Sequence, residues 1–324
     1  MLLINTLVVC SVSLHCLSLI AICLITTNDS FAFGAKISFE LLFSRQVAEI
    51  GGRNNSIITV NGLYPAPTLR VQRGDHLVVN VTNFLSQTEL LNVHWHGIRQ
   101  IGTPWSDGTT GVTNCPIYYG ANYTYQFTVN VSGTYWYHPH QESMRAEGGF
   151  GFLIVEEYPL LATYDSELLI VLADMYRKSY DYLDKGLLQF GDDSQKNWPG
   201  NGEAIMFNGI AGTEMPFLAV EYNKTYRVRI LNAASLAYFN LAIARHNMTV
   251  IQAGSTATKP ISLQSLDINV AERFDVLITT DKKPLSYRIN IQTNYQVPSC
   301  CLLTILISAY LPLLGDGQLP VRPL

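Results

Sequence analysis

A chain of 324 residues is longer than one compact core usually serves, so two domains of ordinary size are expected. Only 14% of residues are charged, the formal net charge is −4 and no long basic run occurs. That excludes nucleic acid as a partner, because phosphate binding needs clustered Lys and Arg.

The first element is a targeting segment over residues 1–35. From Leu2 to Thr26 the chain is almost wholly apolar and lacks Lys, Arg, Asp and Glu. It reads as a secretory signal with a small-residue end near Ser30–Ala35, although no basic n-region precedes it. Its length also allows an uncleaved anchor in the membrane. Asn-x-Ser/Thr sequons at Asn28, Asn54, Asn80, Asn122, Asn130, Asn223 and Asn247 point the same way, to a glycosylated and secreted chain. Cys10, Cys16 and Cys23 lie in the leader, leaving Cys115 and the adjacent Cys300 and Cys301. A vicinal disulfide strains the backbone, so Cys115 either pairs with one of the terminal cysteines or lacks its partner here.

From Lys36 onward, short β-branched and aromatic runs alternate with Gly, Asn and Asp breaks, and no helix-period stretch of useful length stands out. Strands are predicted at Thr68–Val71, His76–Val81, Tyr123–Val131, Gly133–His140 and Phe150–Val155. An acidic pair and Pro159 mark a boundary near Glu156–Tyr164. A second set follows at Glu167–Leu172, Thr225–Leu231, Tyr238–Ile243, Thr249–Ala253, Phe274–Thr279 and Tyr287–Ile291, and Asp181–Gly202 reads as a long surface loop. This spacing predicts an all-β chain of two tandem Greek-key β-sandwich or barrel domains, at 36–157 and 165–297. Residues 298–324 lose the alternation and are expected to be a divergent tail outside the fold.

Four of the seven histidines form two His-x-His pairs, His94-Trp95-His96 and His138-Pro139-His140. In a strand, residues i and i+2 share a face, so each pair presents two imidazoles side by side. Two such strands brought together offer four nitrogen donors to one small volume. Imidazole suits copper, zinc, iron and nickel, so residue type alone does not choose the metal. His15, His76 and His246 have no such partner, and His246 reads as a surface or packing histidine.

The flanking sequence narrows the choice. Asn92-Val-His-Trp-His-Gly-Ile-Arg-Gln, Gly102-Thr-Pro-Trp-Ser-Asp-Gly-Thr and Gly133-Thr-Tyr-Trp-Tyr-His-Pro-His resemble the two copper segments of the first domain in multicopper oxidases, the laccases and ascorbate oxidases. Pro139 stands where Ser is the familiar residue. Phe207-Asn-Gly, Tyr226-Arg-Val-Arg-Ile-Leu-Asn-Ala-Ala and Val270-Ala-Glu-Arg-Phe-Asp-Val-Leu-Ile resemble the family's middle domain, a spacer without copper. The resemblance runs from about residue 37 to 297.

It implies cupredoxin-like domains and a copper cofactor. It also implies that electrons pass one at a time from a small reducing substrate to dioxygen. By resemblance, His94 would bind the type 2 copper, His96 and His138 would share one type 3 copper, and His140 would serve the other. Asp107 matches a carboxylate that assists proton delivery; without the motif it would read as a turn aspartate in Ser-Asp-Gly. Trp95, Trp105 and Trp136 are expected to pack around the ligands. The family's third domain supplies four further cluster histidines and the type 1 copper site. No His-Cys-His segment occurs here, so half the cluster ligands are expected to be present and the third domain missing. The chain alone is then expected to be inactive, a partner chain could supply the missing domain, and a non-catalytic copper-binding protein is the alternative. Cys115 would, by resemblance, bond a cysteine in the absent region.

Overall fold

The computed structural model describes residues 34–50, 52–176, 179–188, 202, 204–211, 217–293, 309–311 and 313–314, all within one compact unit that spans residues 33–324. The expected leader, Cys300 and Cys301 lie outside the described residues.

The first sandwich uses β1 (Lys36–Ile50), β2 (Arg53–Val60), β3 (Leu69–Gln72), β4 (His76–Phe84), β5 (Val93–His96), β6 (Asn122–Thr128), β7 (Gly133–Pro139) and β8 (Gly151–Glu156). One sheet runs β2-β1-β4-β6 and the other β3-β8-β7-β5. β1 lies parallel to β4 and β3 parallel to β8, while the other neighbours are antiparallel. The strands form because apolar residues recur at every second position. Leu77, Val79 and Val81 of β4 point inward from the first sheet with Leu41 and Phe43 of β1, and meet Trp95, Tyr135, Tyr137 and Leu153 of the second. Burying one large apolar side chain contributes about 1.5–3 kcal/mol, so this shared core dominates the domain's stability.

The second domain follows with β9 (Ser166–Met175), α1 (Tyr180–Leu188), β10 (Ala204–Phe207), β11 (Val220–Glu221), β12 (Thr225–Asn232), β13 (Phe239–Ile243), β14 (Met248–Ala253), β15 (Thr256–Leu263), β16 (Ser265–Ile268), β17 (Arg273–Thr279) and β18 (Tyr287–Thr293), then β19 (Ala309–Leu311) and β20 (Leu313–Leu314). Its sheets run β10-β9-β12-β17-β14-β15 and β16-β13-β18-β19, with β11 beside β20. Two expectations differ from this. Residues 181–188 of the predicted loop lie in α1, because Leu183 finds burial against Tyr176 and Ala146 that the local sequence does not advertise. Within the stretch read as a tail outside the fold, β19 pairs with β18 and β20 with β11.

An apolar seam joins the domains. Ile57, Trp136, Phe152 and Ile154 of the first pack with Val171, Ala173, Met206 and Leu231 of the second. Beside it lies a buried ionic junction. Asp275 accepts from Thr134 Oγ1 at 2.6 Å, Arg227 Nη2 at 2.6 Å and Arg229 Nη1 at 3.1 Å. β7, which carries His138, is thereby pinned to β12 and β17. Of the sequons, Asn54, Asn122, Asn130, Asn223 and Asn247 are exposed and Asn80 is half-buried, while Asn28 lies outside the described residues.

Candidate metal centre

β5 and β7 are antiparallel neighbours with His94 directly opposite His138 and His96 opposite Trp136. Val93 and Trp95 take the inward face of β5, which leaves His94 and His96 on the other. The same alternation sends Tyr135 and Tyr137 into the core and sets Trp136 and His138 beside the β5 imidazoles. His140 continues that face just past the strand end, its amide N–H donating to Asn92 O at 2.9 Å.

The four rings gather into one cluster. His94 lies 5.5 Å from His96, 5.5 Å from His138 and 5.3 Å from His140, centroid to centroid. His138 is 5.8 Å from both His96 and His140. Burial grades across the set: His138 is 2% exposed, His94 and His96 are half-buried and His140 is exposed.

Two rings are locked in orientation. His94 Nδ1 donates to Asp107 O at 2.8 Å and His138 Nδ1 donates to Pro139 O at 2.8 Å. A carbonyl can only accept, so both rings carry their proton on Nδ1 and leave the Nε2 lone pair free. His138 Nε2 is buried and has no hydrogen-bond partner among the described residues, an arrangement that is costly unless something such as a metal ion takes the lone pair. Burial holds His138 well below the ordinary imidazole range and pushes His96 down to about 3, with Arg273 adding to the latter; burial lowers His94 as well. Neutral imidazole is the ligand form, so the electrostatics fit a metal.

Among the described residues no three His, Cys, Asp or Glu side chains converge on one metal position.

The loop after β5 positions His94. A turn of 3-10 helix at Pro104–Ser106 leads to Asp107, whose carbonyl anchors the ring. Its carboxylate lies 3.6 Å from His94 Nδ1 and accepts from Thr109 Oγ1 at 2.8 Å. Gly108 has φ +86°, and a Cβ there would stand 1.8 Å from Val93 O. Gly97, at φ +91°, likewise leaves room for Arg273 Nη2, which a Cβ would meet at 2.7 Å.

Trp136 stacks 4.2 Å from His138 and 5.2 Å from His96, and Trp95 is fully buried behind the ligands. Trp105 departs from the expected packing: it is 55% exposed, along with Ile101, Val112 and Tyr118 of the same segment. His246 is buried against Tyr287 at 4.7 Å, away from the cluster, as a packing histidine. Cys115 is exposed and has no disulfide partner among the described residues. Arg145 was not singled out in the sequence, yet its guanidinium sits 5.6 Å over Trp136. Nothing local distinguishes it from a surface arginine.

Two family models described as multicopper oxidase match the chain, one over residues 43–159 and one over 166–305. The chain belongs to the multicopper oxidase family. Among curated relatives, L-ascorbate oxidase of Cucumis sativus is 35% identical over 83% of this chain and 49% of its own length. Laccase-2 of Oryza sativa subsp. japonica is 34% identical over 75% of this chain and 44% of its own. Among solved structures, Fet3p, a multicopper oxidase that functions in iron import, superposes with a TM-score of 0.78 at 26% identity, covering 89% of this chain and 54% of that one. The laccase of Botrytis aclada gives 0.72 at 27%, covering 84% and 55%. The two sandwiches are thus cupredoxin-like, and membership of this family implies copper. The chain spans about half the length of the curated relatives it matches.

Proposed function

We propose that this chain is the copper-binding first part of an oxidoreductase that passes electrons from a small donor, a phenol or an ascorbate-like enediol, to dioxygen. The observation that carries the reading is the four-imidazole face of β5 and β7, with His94 and His138 locked at Nδ1 by carbonyls and His138 Nε2 buried without a partner.

His94, His96, His138 and His140 would hold copper, with His94 at the type 2 position and the other three at the type 3 positions. Bound copper would supply the electron-accepting centre at which dioxygen is reduced. The chain's own residues set the conditions. Asp107 orients His94 through its carbonyl and keeps a carboxylate oxygen within 3.6 Å of that ring, where it can hold a proton for delivery to the reacting oxygen. Trp136 covers His138 and His96 and excludes water from their buried side.

The remaining ligands and a type 1 site would come from a further domain or a partner chain. That partner would cover the exposed Ile101, Trp105, Val112 and Tyr118. The apolar leader and the exposed sequons support a secreted, glycosylated protein.

A second reading, a secreted copper-binding protein without turnover, is favoured by the lack of three converging donors among the described residues. Oxygen uptake with ascorbate or a phenol separates the two, measured on the copper-loaded chain alone and fused to the C-terminal half of a matched ascorbate oxidase. Uptake by the fusion that disappears in its His138→Ala form supports the oxidoreductase. A fusion that holds its full copper complement and consumes no oxygen sinks it in favour of the second reading.

A further inference from the structure

A cavity of about 210 Å³ opens between the end of β7, α1 and the loop after β12, lined by His138, His140, Ser143, Arg145, Tyr176 and Ser235 among others. Its polar groups are unevenly satisfied. Among the described residues Arg145 Nε is buried without an acceptor, and no carboxylate lies within ion-pair distance of this guanidinium. Ser235 Oγ is likewise buried without a partner among the described residues.

Arg227 and Arg229, the buried arginines at the seam, each have a carboxylate oxygen within 2.7 Å, and the part-buried Arg273 gives its Nε and Nη1 to the carbonyls of Thr134 and Ala271. The carboxylate acting on Arg145, Asp174, is committed elsewhere: it accepts from the backbone N–H groups of Ser235, Leu236 and Ala237 and from Tyr176 Oη. Glu142 also lines the cavity but is exposed to solvent. A part-buried guanidinium whose Nε finds no acceptor and whose nearest carboxylate is engaged by other donors is left with unused binding capacity for an anion.

We propose that this cavity is a binding site for a small planar oxyanion, of the formate, nitrate or bicarbonate type, held by the Arg145 guanidinium and the Ser235 hydroxyl. The guanidinium presents a planar fork of N–H donors that matches two oxygens of such an ion. Ser235 Oγ supplies a further donor from the second domain. One water occupies roughly 30 Å³ in the liquid, so an ion of three or four heavy atoms fits with room for solvent. The site needs no metal, although it adjoins His138 and His140, and an anion there offsets positive charge beside them.

The test is titration calorimetry of sodium formate and sodium nitrate into the full chain, stripped of metal with a chelator, with chloride as a non-planar comparison. Saturable binding of one formate per chain is expected, weakened at least about tenfold in Arg145→Gln and less in Arg145→Lys, which keeps the charge but not the fork. Ser235→Ala, which leaves the guanidinium and the seam in place, should weaken it several-fold. Absence of saturable binding to the metal-free chain, or equal affinity in the folded Ser235→Ala and Arg145→Gln variants, would overturn the assignment. Equal affinity for chloride would overturn the planar-oxyanion class.

Discussion

His138 concentrates the chemistry of the site at one residue. Its Nδ1 proton is fixed by Pro139 O, its Nε2 lone pair is buried, and Trp136 lies 4.2 Å away. Cupric ion bound at that nitrogen should quench Trp136, so tryptophan fluorescence is expected to fall on copper addition and to recover with chelator. In Trp136→Phe most of that quenching should vanish; a full response there would place the metal elsewhere. The same burial sets a pH dependence for the metal-free chain. His96 and His138 have folded values below the ordinary 6.5, so the unfolded chain binds more protons as pH falls below 6.5. Stability is therefore fully present above that value and declines as pH drops towards the folded values. The limiting slope is about 1.4 kcal/mol per pH unit for each buried imidazole. Urea unfolding at a series of pH values checks it, and a midpoint that stays flat from pH 7 to pH 5 would contradict the burial. The ligand pairs were legible in sequence because i, i+2 spacing maps directly onto one strand face. Arg145 was not, because its burial is decided by Trp136 and the second domain.

At the scale of elements, the pairing of β5 with β7 makes two sequence motifs one site. Motif spacing predicts that each pair shares a face, but only the register, His94 opposite His138, sets which rings meet. The loop from Gly97 to Thr109 completes the job by bringing a carbonyl to His94. Gly108→Ala would force a Cβ into Val93 O, push Asp107 off the ring and lower copper affinity about 10- to 100-fold, the usual scale for losing a group that orients a ligand. Equilibrium dialysis against copper measures this; an unchanged affinity would show that the loop does not orient the ligand. Strands with clean alternation, such as β4, β12 and β17, were readable. α1 was not, since it is held by Leu183 packing on Ala146 and Tyr176, by the Tyr180 N–H donating to Glu147 and by Ser143 Oγ donating to Asp184, while its Asp and Gly residues look like a loop.

Over the whole molecule, the second domain acts as a brace for the metal-bearing strand. Thr134 on β7 donates to Asp275, which also takes bonds from Arg227 and Arg229. Asp275→Asn leaves two buried guanidinium groups short of charge and should cost about 3–5 kcal/mol. Denaturant unfolding should show this loss in a single transition, because the seam from Trp136 to Leu231 couples the domains. Two separate transitions would show that the domains stand independently. Arg227, Arg229 and Asp275 lie in the two motifs that resemble the family's middle domain, but their meeting with Thr134 emerges only when β12 and β17 are set against β7.

Copper binding by the four imidazoles of one strand pair is read most directly from the copper content and electron paramagnetic resonance spectrum of the reconstituted full chain, beside His94→Ala/His138→Ala and a His76→Ala control. Bound cupric ion with nitrogen hyperfine structure is expected in the native chain and the control, and its loss in the double variant. Equal copper and an unchanged spectrum in all three would contradict it.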